Sequence, residues 1–162
     1  SADAAGHAWA VAVAVVLRPL WVYVALGAWG LWWWFRGRRS EALALGLGIL
    51  LGAVAESGLK ALFGRPRPVR RFPDALADGW AYPSGHCLGI ALAATLIVGL
   101  ATPKARRIAG PVLGGLVVLV MWDRWFMAAH WPSDTVAGVL AGCCTAAAAL
   151  ALAPLVWFSP RG

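Results

Sequence analysis

Tyr82-Pro83-Ser84-Gly85-His86 opens an apolar run that reaches Ala101. Ser84 is a good N-cap, and Gly85 lets the backbone come close to a ligand. The spacing predicts a helix over Ser84–Ala101, with its first N–H groups unpaired and pointing outward. Such an end suits an anion, and His86 would stand beside it on the first turn.

Two other stretches answer this one. Upstream is Lys60-Ala-Leu-Phe-Gly-Arg-Pro-Arg67-Pro68; downstream is Arg124-Trp-Phe-Met-Ala-Ala-His130-Trp-Pro-Ser-Asp134. Cations, a second histidine and a carboxylate thus lie at the ends of apolar segments.

The 162 residues are 61% apolar and only 13% charged. A soluble domain carries about 25% charged residues, so the deficit points to a bilayer protein of one domain, residues 1–162. The net charge of +7 then reads as affinity for anionic lipid, and nucleic acid is not expected as a partner. Cys87, Cys143 and Cys144 fall inside apolar runs and read as small packing residues. No secretory signal peptide is expected, because the N-terminus lacks a basic region.

Ala8–Leu17 is too short to span alone, and Arg18-Pro19 interrupts it before Leu20–Phe35. A spanning helix needs about 20 residues, so a short surface helix followed by a span is the favoured reading. Glu41–Phe63, with Ser40 as its cap, is a second span and Ser84–Ala101 a third. Ile108–Phe126, with Pro111 in its first turn, is a fourth, and Asp134–Trp157 a fifth. The fold class is all-α: a polytopic transmembrane bundle of five spans with room for a short N-terminal helix.

The basic turns Arg36–Arg39 and Lys104–Arg107 are placed in the cytoplasm by the positive-inside rule. Alternation puts loops 64–82 and 128–133 together on the other side. Trp32, Trp33, Trp34 and Trp157 would mark one interface, with Trp80, Trp125 and Trp131 marking the other. The pairs Gly48/Gly52, Gly85/Gly89, Gly110/Gly114 and Gly138/Gly142 are expected to let helices pack closely in lipid.

Charges inside apolar segments are costly, which singles out Glu56, Lys60, Asp123 and Arg124. Glu56 and Lys60, four apart on a helix, can simply neutralise each other, or Lys60 can join Arg67 and Arg124 around an anion. Adjacent helix positions do not face each other, so Arg124 is not the expected partner of Asp123. His130 and Asp134 are also four apart. A carboxylate on one imidazole nitrogen would leave the other as a lone-pair nucleophile. Two histidines and one carboxylate are a thin ligand set, so no metal and no cofactor are expected. Together the residues suit phosphoryl transfer.

The ordered pattern Lys60-x6-Arg67-Pro68, Pro83-Ser84-Gly85-His86, Arg124-x5-His130-x3-Asp134 resembles the type-2 phosphatidic acid phosphatase superfamily. That superfamily includes membrane lipid phosphatases, glucose-6-phosphatase and soluble vanadium haloperoxidases. The resemblance covers residues 60–134. It implies that His130 is the nucleophile and forms a phosphohistidine, that Asp134 holds its ring, and that His86 is the general acid. Lys60, Arg67, Ser84, Gly85 and Arg124 would bind the phosphate, without a divalent metal. Two features depart from the pattern: Asp123 stands where the family usually has serine, and the N-terminal portion is short for six spans.

The expected activity is therefore removal of phosphate from a membrane lipid phosphate or diphosphate, of prenyl, phosphatidylglycerol phosphate, phosphatidate or lipid A type. The expected setting is the outer face of a bacterial inner membrane. A lipid phosphotransferase uses the same intermediate, and a non-catalytic lipid binder or transporter is a third reading. Arg65, Arg70 and Arg71 can hold a second phosphate or lie among anionic headgroups.

Overall fold

Arg18-Pro19 divides the N-terminal apolar stretch into two helices, α1 (Ala2–Val16) and α2 (Pro19–Phe35). Proline at the first helical position starts α2 without forfeiting a hydrogen bond. In the computed structural model, which describes residues 2–69, 71–72 and 79–156, four more helices follow. They are α3 (Arg39–Phe63), α4 (Gly85–Leu100), α5 (Pro103–Phe126) and α6 (Pro132–Val156). Every regular element among the described residues is helical.

Helices α3, α5 and α6 and the Ala4–Phe35 stretch are each long and apolar enough to cross a membrane; α4 is a shorter apolar helix. The five-span bundle is thus α2–α6, with α1 as the short N-terminal helix. Gly6 lies against Phe126, Ala10 is buried with Met127 and Ala129, and His7 stacks on Phe72 at 4.2 Å. Instead of prolonging α2, α1 covers the far end of α5.

Three local expectations change. The second span begins at Arg39 with Arg38 at its cap position, so Ser40 lies inside the helix and is not the cap. Arg38 reaches Glu41 at 3.0 Å, and this pairing in the first turn extends the helix backwards. Helix α5 starts at Pro103, because Thr102 accepts the Ala105 N–H, and Pro111 therefore lies inside the helix. The basic residues after Thr102 are helical, and Arg106 donates to the Gly99 and Ala101 carbonyls, closing the end of α4.

Helix α4 is the axis of the bundle, with Leu88, Leu92 and Leu96 fully buried. Gly138 and Gly142 of α6 lie on its backbone: a methyl at Gly138 would come within 2.5 Å of the Ser84 carbonyl, and one at Gly142 would overlap that of Leu88. Gly48 and Gly52 of α3 receive Leu96 and Leu92 in the same way. The small-residue stripes thus bring helices together as expected in lipid. Gly110 and Gly114 differ. A methyl on either would meet nothing within 4 Å, so this pair lines open space instead of a helix contact.

At one end of the bundle, Arg36, Arg38 and Arg39 lie over Trp32, Trp33 and Trp34 at 5.1, 4.1 and 5.5 Å. At the other end, the segments after α3 and α5 are stitched together. Ala81 N–H donates to the Arg65 carbonyl at 2.8 Å, and Ser84 N–H donates to the Asp134 carbonyl at 2.9 Å. Trp157 and Arg70 lie outside the described residues.

Candidate active site

Helix α4 begins at Gly85, directly after the cis Tyr82-Pro83 peptide. Ser84 occupies the N-cap position with extended backbone, yet its hydroxyl makes no cap bond. Ser84 Oγ is buried without a hydrogen-bond partner. A buried hydroxyl and free helix N–H groups at one point leave donors that an anion would satisfy. The Glu56 carboxylate presses on Gly85 from α3, in the space a side chain would need. Lys60 Nζ meets Glu56 Oε1 at 2.5 Å, so its ammonium is paired, one helical turn along, beside the α4 start.

The loop carrying Arg65 and Arg67 leaves α3 through Gly64, whose positive φ of 49° ends the helix in the left-handed conformation. Arg67 is then held from several sides. Its Nε donates to the Gly79 carbonyl at 2.9 Å, its Nη2 to that of Trp80 at 3.1 Å, and its Nη1 to that of Ala129 at 2.8 Å. The same Nη1 lies 3.0 Å from His130 Nε2. These carbonyls aim the guanidinium at the imidazole before any substrate binds.

His130 projects from the tight reversal between α5 and α6. Ala128 takes a positive φ of 49°, a strained conformation for alanine of the kind found at functional sites. His130 is 5% exposed. Its Nδ1–H donates to the Ala81 carbonyl at 2.7 Å, which fixes the tautomer and leaves the Nε2 lone pair facing Arg67. The Asp134 carboxylate is farther from the ring, at 3.7 Å from Nδ1. Its oxygens accept instead from the Trp131 N–H at 2.9 Å and from Arg65 Nη1 at 2.8 Å. The expected pairing is therefore layered: a backbone carbonyl holds the ring, and the carboxylate stands behind it. Burial first, and then the charge of Arg67, push the His130 imidazole down to about 3 from 6.5, so it is neutral with a lone pair on Nε2.

Arg124 sits fully buried at the far end of α5. Contrary to the sequence expectation, its partner is Asp123: Nε donates to Asp123 Oδ2 at 2.8 Å, and Nη2 donates to the same oxygen. The i, i+1 rule concerns Cβ directions, and a long guanidinium stem can fold back where burial offers no other acceptor. Arg124 Nη1 and Asp123 Oδ1 remain buried without partners.

His86 lies on the first turn of α4, with Nε2 3.1 Å from the Ala14 carbonyl of α1. Both histidines feel the charges of Arg124 and Arg67, and His130 also feels His86. The two rings therefore share one end of the bundle. Of the eight residues named from sequence, His86, His130, Asp134, Arg67, Arg124, Ser84 and Gly85 gather there around the α4 start, and Lys60 joins through Glu56.

Two of the three loop cations fall among the described residues, each with partners of its own. Arg65 is engaged by Asp134 and Ser133, and Arg71 lies over Phe126 at 4.5 Å. Sequence reading missed Arg65 as the partner of Asp134 and missed the Ala81 and Ala14 carbonyls. The Arg-Pro-Arg-Pro repeat hinted at the first; backbone carbonyls carry no residue signal. Among the described residues, no group of three or more His, Cys, Asp or Glu side chains is placed to hold a metal ion.

The family model of the PAP2 superfamily matches residues 41–157, which include all eight site residues. The chain belongs to the PAP2 superfamily. Among its PAP2-type relatives, phosphatidylglycerophosphatase B of Escherichia coli is 39% identical over 62 residues, 38% of this chain and 24% of that protein. Undecaprenyl-diphosphatase of Sulfolobus acidocaldarius is 29% identical over 113 residues, 67% of this chain and 53% of that protein. The chain thus spans between a quarter and about half of these curated relatives. The PAP2 fold is shared with Aquifex aeolicus LpxE at a TM-score of 0.70 and 21% identity, over 89% of this chain and 84% of that one. A PAP2-type phosphatidylglycerolphosphate phosphatase from Bacillus subtilis gives 0.65 and 18%, over 97% and 88%. Helix α1, which supplies the His86 partner Ala14, lies outside the region matched by the PAP2 model.

Proposed function

We propose that this protein is a lipid phosphate phosphatase that works through a phosphohistidine on His130. The observation that carries the reading is the neutral Nε2 of His130, fixed by the Ala81 carbonyl at 2.7 Å and set 3.0 Å from Arg67. Beside it, Ser84 Oγ and Arg124 Nη1 are buried without partners, a cost that a phosphoryl group would remove.

In the first step the Nε2 lone pair of His130 bonds to phosphorus, and the bond from phosphorus to the lipid oxygen breaks. His86, taking up a proton from solvent as the anionic substrate enters beside it, gives that proton to the leaving oxygen, so the alcohol leaves neutral. Arg67, Arg124, Ser84 and the α4 N–H groups hold the phosphoryl oxygens, with Lys60 released from Glu56 to join them. As the imidazole gains charge, the Asp134 carboxylate stabilises it from behind. In the second step His86 takes a proton from water, the water oxygen bonds to phosphorus, and the bond to His130 breaks.

The proposed setting is the outer face of a bacterial inner membrane. Supporting it, Arg36, Arg38, Arg39, Lys104, Arg106 and Arg107 cluster at the end away from the site. The relatives named for phosphatidylglycerol phosphate and undecaprenyl diphosphate make those lipids, with phosphatidate and lipid A phosphates, the first substrates to offer. Phosphate release across this panel, with chelator present, is expected from the wild type and absent from His130→Ala. Turnover of lipid labelled in its phosphate, quenched in alkaline denaturant, should trap a phosphoenzyme that survives base and is lost in acid. A folded His130→Ala protein with full activity would overturn the reading.

A further inference from the structure

The buried residues of α5 are Val120, Asp123 and Arg124, all in its last two turns near the site, and at its start Arg106 is tied to the Gly99 and Ala101 carbonyls. Between these two ends it bounds an apolar groove of about 540 Å³ with α4 and α6. Ala91, Val98, Gly110, Gly114, Val139 and Leu150 are among the residues that line it. On the α2 side of the same seam a second apolar cavity of about 260 Å³ shares Ala94 and Leu113. The separation of α5 from α4 is thus seen from both sides. The groove is open beside Gly110 and Gly114, where a methyl on either would meet nothing within 4 Å.

We propose that this groove holds the hydrocarbon chain of the lipid phosphate, an inference that rests on the phosphatase reading above. Its position follows the helices that carry the site. At a rise of about 1.5 Å per residue, Ala91 and Gly99 lie about 8 and 20 Å below His86, and Val117 and Gly110 about 10 and 21 Å below Arg124. One leaflet of hydrocarbon is about 15 Å deep, so the groove straddles the depth where a lipid tail ends. Val117 and Val139 line its upper end and also pack on the buried cluster of Cys87, Ile90 and Val120, which lies between the groove and the first turn of α4. A phosphate held at the site would lay its tail on the lipid-facing side of this cluster, with the groove below it, and a chain longer than one leaflet would reach and fill the groove.

The test compares short- and long-chain forms of one headgroup: dihexanoyl against dioleoyl phosphatidate and phosphatidylglycerol phosphate, and dimethylallyl against undecaprenyl diphosphate. Gly114→Leu adds four carbons at a groove-lining position where the first, Cβ, meets nothing within 4 Å. Each buried CH₂ is worth about 0.8 kcal/mol, so the long-to-short ratio of kcat/KM should fall about tenfold or more. Gly115→Leu, on the same helix but away from the groove, should keep the wild-type ratio. An unchanged ratio in Gly114→Leu would overturn the groove and assign it to bulk lipid or a second copy of the chain. Equal loss in both glycine variants would overturn it in favour of a general effect on α5. A wild type that releases phosphate from none of these lipids would instead overturn the phosphatase reading, and the groove with it.

Discussion

Arg67 Nη1 lies 3.0 Å from His130 Nε2, a cation fixed against the lone pair that would attack phosphorus. The guanidinium is itself tied to the Gly79, Trp80 and Ala129 carbonyls, so it cannot easily withdraw. Its charge disfavours a proton on the ring and would draw a phosphoryl oxygen to the same point. Arg67→Gln should therefore raise the pKa of His130, read from ring nitrogen shifts in detergent. It should also slow phosphoenzyme formation by about tenfold to a hundredfold, the range for a lost hydrogen bond to a charged group.

The same depressed pKa sets a sign for stability against pH. Folded His130 titrates at about 3 and the unfolded chain near 6.5. Above 6.5 neither form binds the proton, and this imidazole costs nothing. Between 6.5 and 3 only the unfolded chain binds it, so stability should fall as pH drops through that window. Thermal unfolding of the wild type should show this acid-side loss, and Arg67→Gln should narrow the window.

Gly85 and Glu56 offer a test by paired substitution. A methyl at Gly85 would overlap the Glu56 carboxylate, and overpacking of this kind costs about 1–3 kcal/mol. Gly85→Ala should lower the unfolding temperature, and adding Glu56→Ala should restore much of the loss. Purely additive effects in that cycle would show that the two residues do not press on each other.

Asp123 compensates the buried charge of Arg124. Removing one partner of a buried pair costs about 3–5 kcal/mol, so Asp123→Asn should destabilise the substrate-free protein. An anion that binds Arg124 would supply the missing charge. Added inorganic phosphate should then raise the unfolding temperature of Asp123→Asn by more than that of the wild type. Equal shifts would place the anion elsewhere.

Arg65 donates to both Ser133 and Asp134, and so holds the carboxylate behind His130. Arg65→Gln should reduce kcat by about tenfold or more with a smaller change in KM, because its effect passes through Asp134. Arg65→Lys should recover part of kcat, and a KM effect alone would place Arg65 on the substrate instead.

The amino-acid order by itself determined which segments are helical, where they stop, and which polar residues stand at the same end of the bundle. Apolar length and the cost of charge in lipid decide those points locally, so Arg18-Pro19 and Ser84 mark breaks without knowledge of neighbours. The resemblance to family motifs, a separate warrant, implied that His86, His130, Arg67 and Arg124 serve one phosphate. Only the tertiary structure decided what each of them touches. Nδ1 of His130 meets the Ala81 carbonyl, which every residue type would offer, and Arg124 folds back on Asp123 because burial removes other acceptors. The glycine stripes make the point again. Gly138/Gly142 and Gly110/Gly114 have identical spacing, yet one pair seats a helix backbone and the other borders an open groove. Spacing states which residues share a face, and packing alone states what that face meets.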